Sequence, residues 1–271
     1  MRSFILSFKG KYQAALVIGV TMIIAFVSAI LCGLFFDEHQ LVANTDLISA
    51  VYQVMGTIYA ILLTFTLWGV WQNFTAAGAS VENEAFALLD LVHMLEISFT
   101  KKNDTIRQAA LVYARLVVEH EWATLKNFTN ALLHLRERNH SSAMEIIHSV
   151  QSTVPENEKE GIVFQQALRL LTRWLDARRE RLLIARGNSA KALWPLLCTG
   201  AFVLFAFHGL FVAKTVALWS TLLFGTSLVI GVTFYLIFTL DCPFDGSLCI
   251  DSEPFSLAID LLQATNLSKS S

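Results

Sequence analysis

The stretch that decides the fold is Gly56–Phe74, "GTIYAILLTFTLWGVWQNF". It holds no Asp, Glu, Lys or Arg, and it sits inside a longer uncharged block, Leu47 to Val81. A helix crossing a hydrocarbon core of about 30 Å needs roughly 20 apolar residues. The block exceeds that need, so the spacing predicts a membrane helix that runs on into water after Gln72. Beyond it, Val81, Phe86, Leu88, Leu89, Val92 and Leu95 recur at helical spacing, which extends the same helix as a stalk.

Three further uncharged blocks flank this one: Ala14 to Phe36, Ala192 to Ala213 and Thr215 to Leu240. Charged residues make up 15% of the 271-residue chain, against about 25% in an average soluble domain. The first block is too long for the 7–15-residue apolar region of a signal peptide and lacks a small-residue cleavage site, so it reads as a retained helix. The expected plan is a cytoplasmic N-terminus over residues 1–12, spans at 13–36 and 48–72, a cytoplasmic helical domain over 73–191, spans at 192–213 and 216–240, and a cytoplasmic tail over 241–271. No segment alternates as a strand does. The fold class is an all-α integral membrane protein with four spans arranged two plus two.

Orientation follows from the cations. Arg2, Lys9 and Lys11 precede the first span, fifteen Lys and Arg fall between Gln72 and Ala192, and Lys269 lies in the tail, whereas Lys214 alone falls in the two remaining links. Nineteen of twenty cations then lie on one side, and an excess of Lys and Arg marks the cytoplasmic face. Both termini and the middle segment are expected there. Cys242 and Cys249 share that reducing side, which disfavours a disulfide between them.

Within the middle segment, Asn103 or Asp104 is placed as an N-cap. A short helix is expected over about Ser142 to Gln151. Pro155 is expected in the first turn of a last helix, with Phe164, Leu168, Leu171, Leu175 and Leu182 on one face and an end at about Ala185.

No nucleophile elbow, Walker loop or dinucleotide fingerprint occurs, and the chain is not expected to be an enzyme. His120 stands between Glu119 and Glu121, but adjacent helical residues point apart. His134, His140 and His148 include no pair at the i, i+4 metal-ligand spacing; Glu145 and His148 suit one half of a carboxylate-bundle motif, which needs a second copy and further Glu ligands in the same bundle, and no convincing set is found. Arg173, Arg178, Arg179, Arg181 and Arg186 read as a juxtamembrane basic patch that enforces topology. His208 is the one ionisable group of the lysine, arginine, histidine and acid types within the spans, which weighs against an ion-coupled carrier. Small residues at spacing four, Gly56, Ala60 and Thr64 in one span and Thr221 with Gly225 in another, permit close helix approach. On the second span Ile58, Leu62, Phe65 and Gly69 form one stripe. At the axis of a symmetric ring that stripe would be an apolar constriction.

Several pieces in order carry a resemblance: Gly56–Phe74 running into Val81–Leu91 "VENEAFALLDL", Tyr113–Trp122 "YARLVVEHEW", Arg178–Leu197 "RRERLLIARGNSAKALWPLL", and Thr233–Gly246 "TFYLIFTLDCPFDG". Over roughly Gly56 to Phe255 the chain resembles the bacterial membrane family called bestrophin-like, which is distantly similar to bestrophin channels. The most specific piece is the apolar helix ending in Leu-Asp-x-Pro-Phe-x-Gly, with Asp241, Pro243, Phe244 and Gly246.

The resemblance implies a multi-pass protein of the bacterial inner membrane. It implies a homo-oligomer, a pentamer in bestrophins, conducting small ions through a pore lined by the second span, with the neck among Ile58, Leu62 and Phe65. The expected partners are the lipid bilayer, further copies of the chain and small ions; no nucleic acid and no cofactor is implied. Calcium-activated bestrophins use the stretch after the last span in a calcium clasp. Here Asp241, Asp245, Asp251 and Glu253 are too dispersed for the six to eight oxygens that Ca²⁺ takes, and they stand as a weak alternative only. The residues also leave open a membrane-anchored helical interaction module without a pore.

Overall fold

The computed structural model describes residues 10–99, 103–122, 131–185, 190, 192–211, 215–245 and 248–267. These are helical with turns between, and no strand occurs among them. The helices are α1 (Gly10–Leu34), α2 (Glu38–Ala43), α3 (Thr45–Ser98), α4 (Asn103–Leu116), α5 (Ala131–Gln151), α6 (Glu158–Ala185), α7 (Trp194–His208), α8 (Val216–Leu240) and α9 (Glu253–Leu267). The all-α expectation holds for the described residues.

Among the described residues three helices are long and apolar enough to cross a membrane, with the segments Tyr12–Leu34, Thr45–Ile97 and Val216–Leu240. Among the described residues of the third expected span, 192–213, the 15 residues of α7 are helical. Pro195 fits its first turn, where a missing N–H costs nothing. At its end Gly209 N donates to Ala206 O and Leu210 N to Phe207 O, each at 3.0 Å. Such tightened i→i+3 bonds close a helix.

The chain divides into two compact units. The first draws on Met1–Phe74 and Asn188–Cys242, the second on Thr75–Gly187, Pro243–Asp245 and Cys249–Ser271.

In the first unit α1 lies against both α7 and α8. Glycines set how close the helices come. A Cβ at Gly209 would overlap the carbonyl of Ala29, and one at Gly231 would stand 3.2 Å from Ile18 Cα. Gly225 and Gly56, in contrast, have nothing within 4 Å of a built Cβ. The core joins Ala25, Ala29, Tyr59, Leu63, Leu197, Phe205, Leu223 and Phe234. Thr215 caps α8, its hydroxyl accepting from Leu218 N at 3.3 Å.

In the second unit the stalk of α3 buries Val81, Ala85, Leu88, Val92 and Leu95 against α4, α5, α6 and α9 residues of one core. Three expectations need correction here. The helix placed at about Ser142 begins at Ala131. Pro155 lies before α6, not in its first turn; Asn157 opens the helix instead, its Oδ1 accepting from Glu160 N at 2.9 Å while Glu160 Oε2 accepts from Glu156 N at 2.7 Å. This reciprocal pairing satisfies donors that the helix cannot, as in a capping box. The buried face of α6 is centred on Ala167, Leu171, Trp174, Arg181 and Ala185, and Leu168 is exposed. Trp174 outweighs the leucines in setting the rotation because its large ring packs edge-on against Tyr113, centroids 5.0 Å apart.

Candidate functional site

In the first unit the membrane part of α3 has two distinct faces. Tyr59, Leu63, Thr66 and Val70, spaced by three and four, turn into the core. Tyr59 is fixed further by donating its hydroxyl proton to Leu197 O at 2.9 Å, with its ring laid over Gly200 where a Cβ would come within 2.6 Å. The other face carries Val54, Ile58, Ile61, Phe65 and Trp68, all exposed. Ile58 is 64% and Phe65 71% exposed. Leu62 sits at the flank between the faces, half-buried and packed against the core. Of the three neck candidates, two therefore point away from the protomer's own core and one does so in part.

The segment after α8 separates into two roles. Asp241 is buried, and its carboxylate accepts from Ala190 N at 3.1 Å. This holds the approach to α7 against the exit of α8, both in the first unit. Pro243 and Phe244 are buried in the second unit. There Pro243 O accepts from Ile250 N at 2.8 Å. The Phe244 ring meets the Trp122 ring at 5.7 Å, nearly perpendicular, and Phe255 meets the same indole at 6.2 Å. Trp122 Nε1 donates to Ile250 O at 3.4 Å. Gly246 lies outside the described residues. The four acids of the calcium alternative do not gather: Asp251 and Glu253 are exposed, and no group of three metal-ligating side chains forms among the described residues. Cys242 and Cys249 form no disulfide.

The second unit also holds a charged network that the sequence reading does not anticipate. Arg181, expected in a juxtamembrane basic patch, is fully buried. Its Nε donates to Glu84 Oε2 at 2.6 Å, and its Nη2 to Glu84 Oε1 at 3.2 Å and to Glu121 Oε2 at 2.6 Å. The Tyr113 hydroxyl donates to Glu84 Oε1. The guanidinium lies over the rings of Trp122 and Phe255, 5.8 and 5.7 Å from their centroids, and Arg178 lies over the Tyr113 ring at 5.7 Å. A second buried pair joins Arg107 and Glu96.

Burial alone would drive the charge off Arg181, but Glu84 and then Glu121 more than offset it and hold the group well above its usual range. Burial, followed by the Glu84 charge, pushes the Tyr113 phenol well up. An ion pair taken out of water is favourable only with close geometry and satisfied hydrogen bonds; here Nε and Nη2 make three bonds to the two carboxylates, while the buried Nη1 has no hydrogen-bond partner among the described residues. One signal for it exists in the sequence. Glu84 interrupts the stripe Val81, Leu88, Leu91, Leu95, and Arg181 interrupts the stripe Leu171, Trp174, Ala185. A charge on an apolar stripe is expected to be paired.

His208 is buried in an aromatic setting. Its Nε2 is 3.5 Å from Trp219 O, its carbonyl accepts from Trp219 Nε1 at 3.3 Å, and Tyr52, Phe211 and Trp219 surround the ring. His120, Glu145 and His148 are exposed on their helices.

A family model described as "Bestrophin-like domain" matches residues 14–255. Among solved structures, the chain is similar to two point variants of a bacterial bestrophin homolog from Klebsiella pneumoniae. One is 14% identical with a TM-score of 0.65, covering 93% of this chain and 98% of that one. The other is 13% identical with a TM-score of 0.65, covering 96% and 98%. A variant of a protein described only as a membrane protein is 15% identical, with a TM-score of 0.63 over 93% and 97%. No curated protein matches the chain.

Proposed function

The chain belongs to the bestrophin-like family, and on that footing we propose that it is a subunit of a homo-oligomeric, pentameric channel for small ions with α3 at the axis. One observation carries this reading. The face of α3 that holds Ile58 and Phe65 is turned out of the protomer's core while Tyr59 and Leu63 hold the opposite face inside it. A helix so anchored offers a line of large apolar side chains to whatever lies beside the protomer. Around a symmetry axis these side chains form a neck that passes ions when wetted and blocks them when dry.

In this reading α1, α3, α7 and α8 supply the four spans of the bacterial inner membrane. The short α7 reaches across together with its flanking turns. The second unit and both termini lie in the cytoplasm, as the cation distribution favours. Asp241, Pro243, Phe244 and Gly246 form the exit from the last span and return the chain to the helical unit. Reconstitution of the purified chain in planar bilayers tests the reading: single-channel currents are expected, and their persistent absence from intact oligomers overturns it.

A second reading, a membrane-anchored interaction module without a pore, draws on the independent core of the second unit, which runs from Ala77 to Leu262. Particle symmetry separates the two. A ring with α3 at its centre favours the channel, and a monomer or dimer favours the module.

A further inference from the structure

Helix α4 continues past its last α-helical residue as a π-turn, Val117–Glu121. A π-turn inserts one residue into an α-helix and tends to mark places where a side chain must be re-aimed. Its effect can be worked out from Tyr113, which is fully buried. At about 100° per residue, unbroken α-geometry places Glu121 about 80° and Trp122 about 180° round the axis from Tyr113. The latter is the side of Asp104 and Arg115, both exposed. The inserted residue takes back about 100°. Trp122 then falls between Ala110 and Ala114, both fully buried, and Glu121 falls beside Ala109 and Tyr113.

The observed burial matches the shifted register: Glu121 and Trp122 are both buried while Glu119 and His120 are exposed. The unshifted register exchanges occupants. His120 takes the place of Glu121, Glu121 takes the place of Trp122, and Trp122 turns outward.

The geometry points to a two-register switch in this turn, selected by Arg181. In the π register Glu121 meets Arg181, and Trp122 pins the segment after α8 through Phe244, Ile250 and Phe255. In the α register a histidine faces Arg181, the ion pair is lost, and that segment loses its indole. The π register gives up regular helix hydrogen bonding, and the Glu121–Arg181 contact together with the packing of Trp122 offsets that loss. The device is thus a latch whose two ends, the ion pair and the Trp122 clamp, open together.

Hydrogen exchange on the full chain in detergent micelles tests it with four proteins: the natural chain, Glu121→Ala, a chain lacking Glu119, and the combination. Deleting Glu119 removes the inserted residue, so plain α-geometry then keeps Trp122 inside. Glu121→Ala in the natural chain is expected to speed exchange several-fold over 117–122 and 248–256, with 144–150 in α5 unchanged. In the chain lacking Glu119 the same substitution is expected to leave 248–256 protected. Equal loss in both backgrounds overturns the switch, as does no loss in either. Failure of the Glu119-deleted chain to fold also overturns it, because the shifted register is then not what Trp122 requires.

Discussion

Arg181 and Glu84 stand 97 residues apart in the chain, yet they share two hydrogen bonds at 2.6 and 3.2 Å with no side-chain surface exposed on either. Removing the cation alone strands two carboxylates in a dry interior. Arg181→Met is expected to cost about 3–5 kcal/mol, whereas replacing Arg181, Glu84 and Glu121 together by apolar residues costs less, because no uncompensated charge remains. Chemical unfolding of the two detergent-solubilised variants measures this; a triple variant weaker than the single one contradicts it.

Tyr113 gives a pH dependence. Burial and the neighbouring Glu84 raise its phenol in the folded state, so above about pH 10 the unfolded chain releases this proton while the folded chain keeps it. The stabilisation is complete below that pH and is lost as pH rises further. Melting temperatures over roughly pH 8–11, which brackets the free phenol, are expected to fall more steeply for the natural chain than for Tyr113→Phe.

Two glycines of the first unit make a contrasting pair. Gly209→Ala forces a methyl into the carbonyl of Ala29, a backbone atom that cannot swing aside, while Gly225→Ala meets open space. Overpacking of a tight contact costs about 1–3 kcal/mol or more. Thermal stability in micelles is expected to drop for the first and to stay level for the second.

The neck reading separates neighbours on one helix. Phe65→Ala removes an outward side chain and is expected to raise ion leak through reconstituted channels several-fold with little loss of stability. Leu63→Ala removes a buried one and is expected to cost about 2–5 kcal/mol of folding stability without a leak of its own. Paired flux and melting measurements decide between these outcomes, and a leak from both variants alike would count against the assignment of faces.

The membrane helices were legible because uncharged runs of that length have few other uses. The stalk was legible because Val81, Leu88, Val92 and Leu95 keep helical spacing past Gln72. The charged network was not, since no local pattern tells which distant acid meets Arg181; pairing over 97 residues is settled by the packing of α3 on α6. The rotation of α6 departs from its leucine spacing in turning Leu168 out, because Trp174 takes the centre of the buried face. The π-turn left no compositional trace: it shows in the burial of Trp122, which unbroken α-geometry would turn to the exposed side of Asp104 and Arg115. At the candidate neck, the outward aim of Ile58 and Phe65 follows from Tyr59 being tied to Leu197, again a contact made across the chain.

The clamp around Arg181 has a consequence for biogenesis. Its parts come from positions 84, 113, 121, 122, 181 and 255, so during synthesis the two glutamates appear long before their guanidinium, and the guanidinium before its second ring. Between Arg181 and Phe255 the ribosome must make all of α7 and α8. Domains generally fold in the order in which they are made, but this helical unit cannot close its centre until α7 and α8 have been produced, so the synthesis of those two helices and the completion of the unit are steps of one sequence.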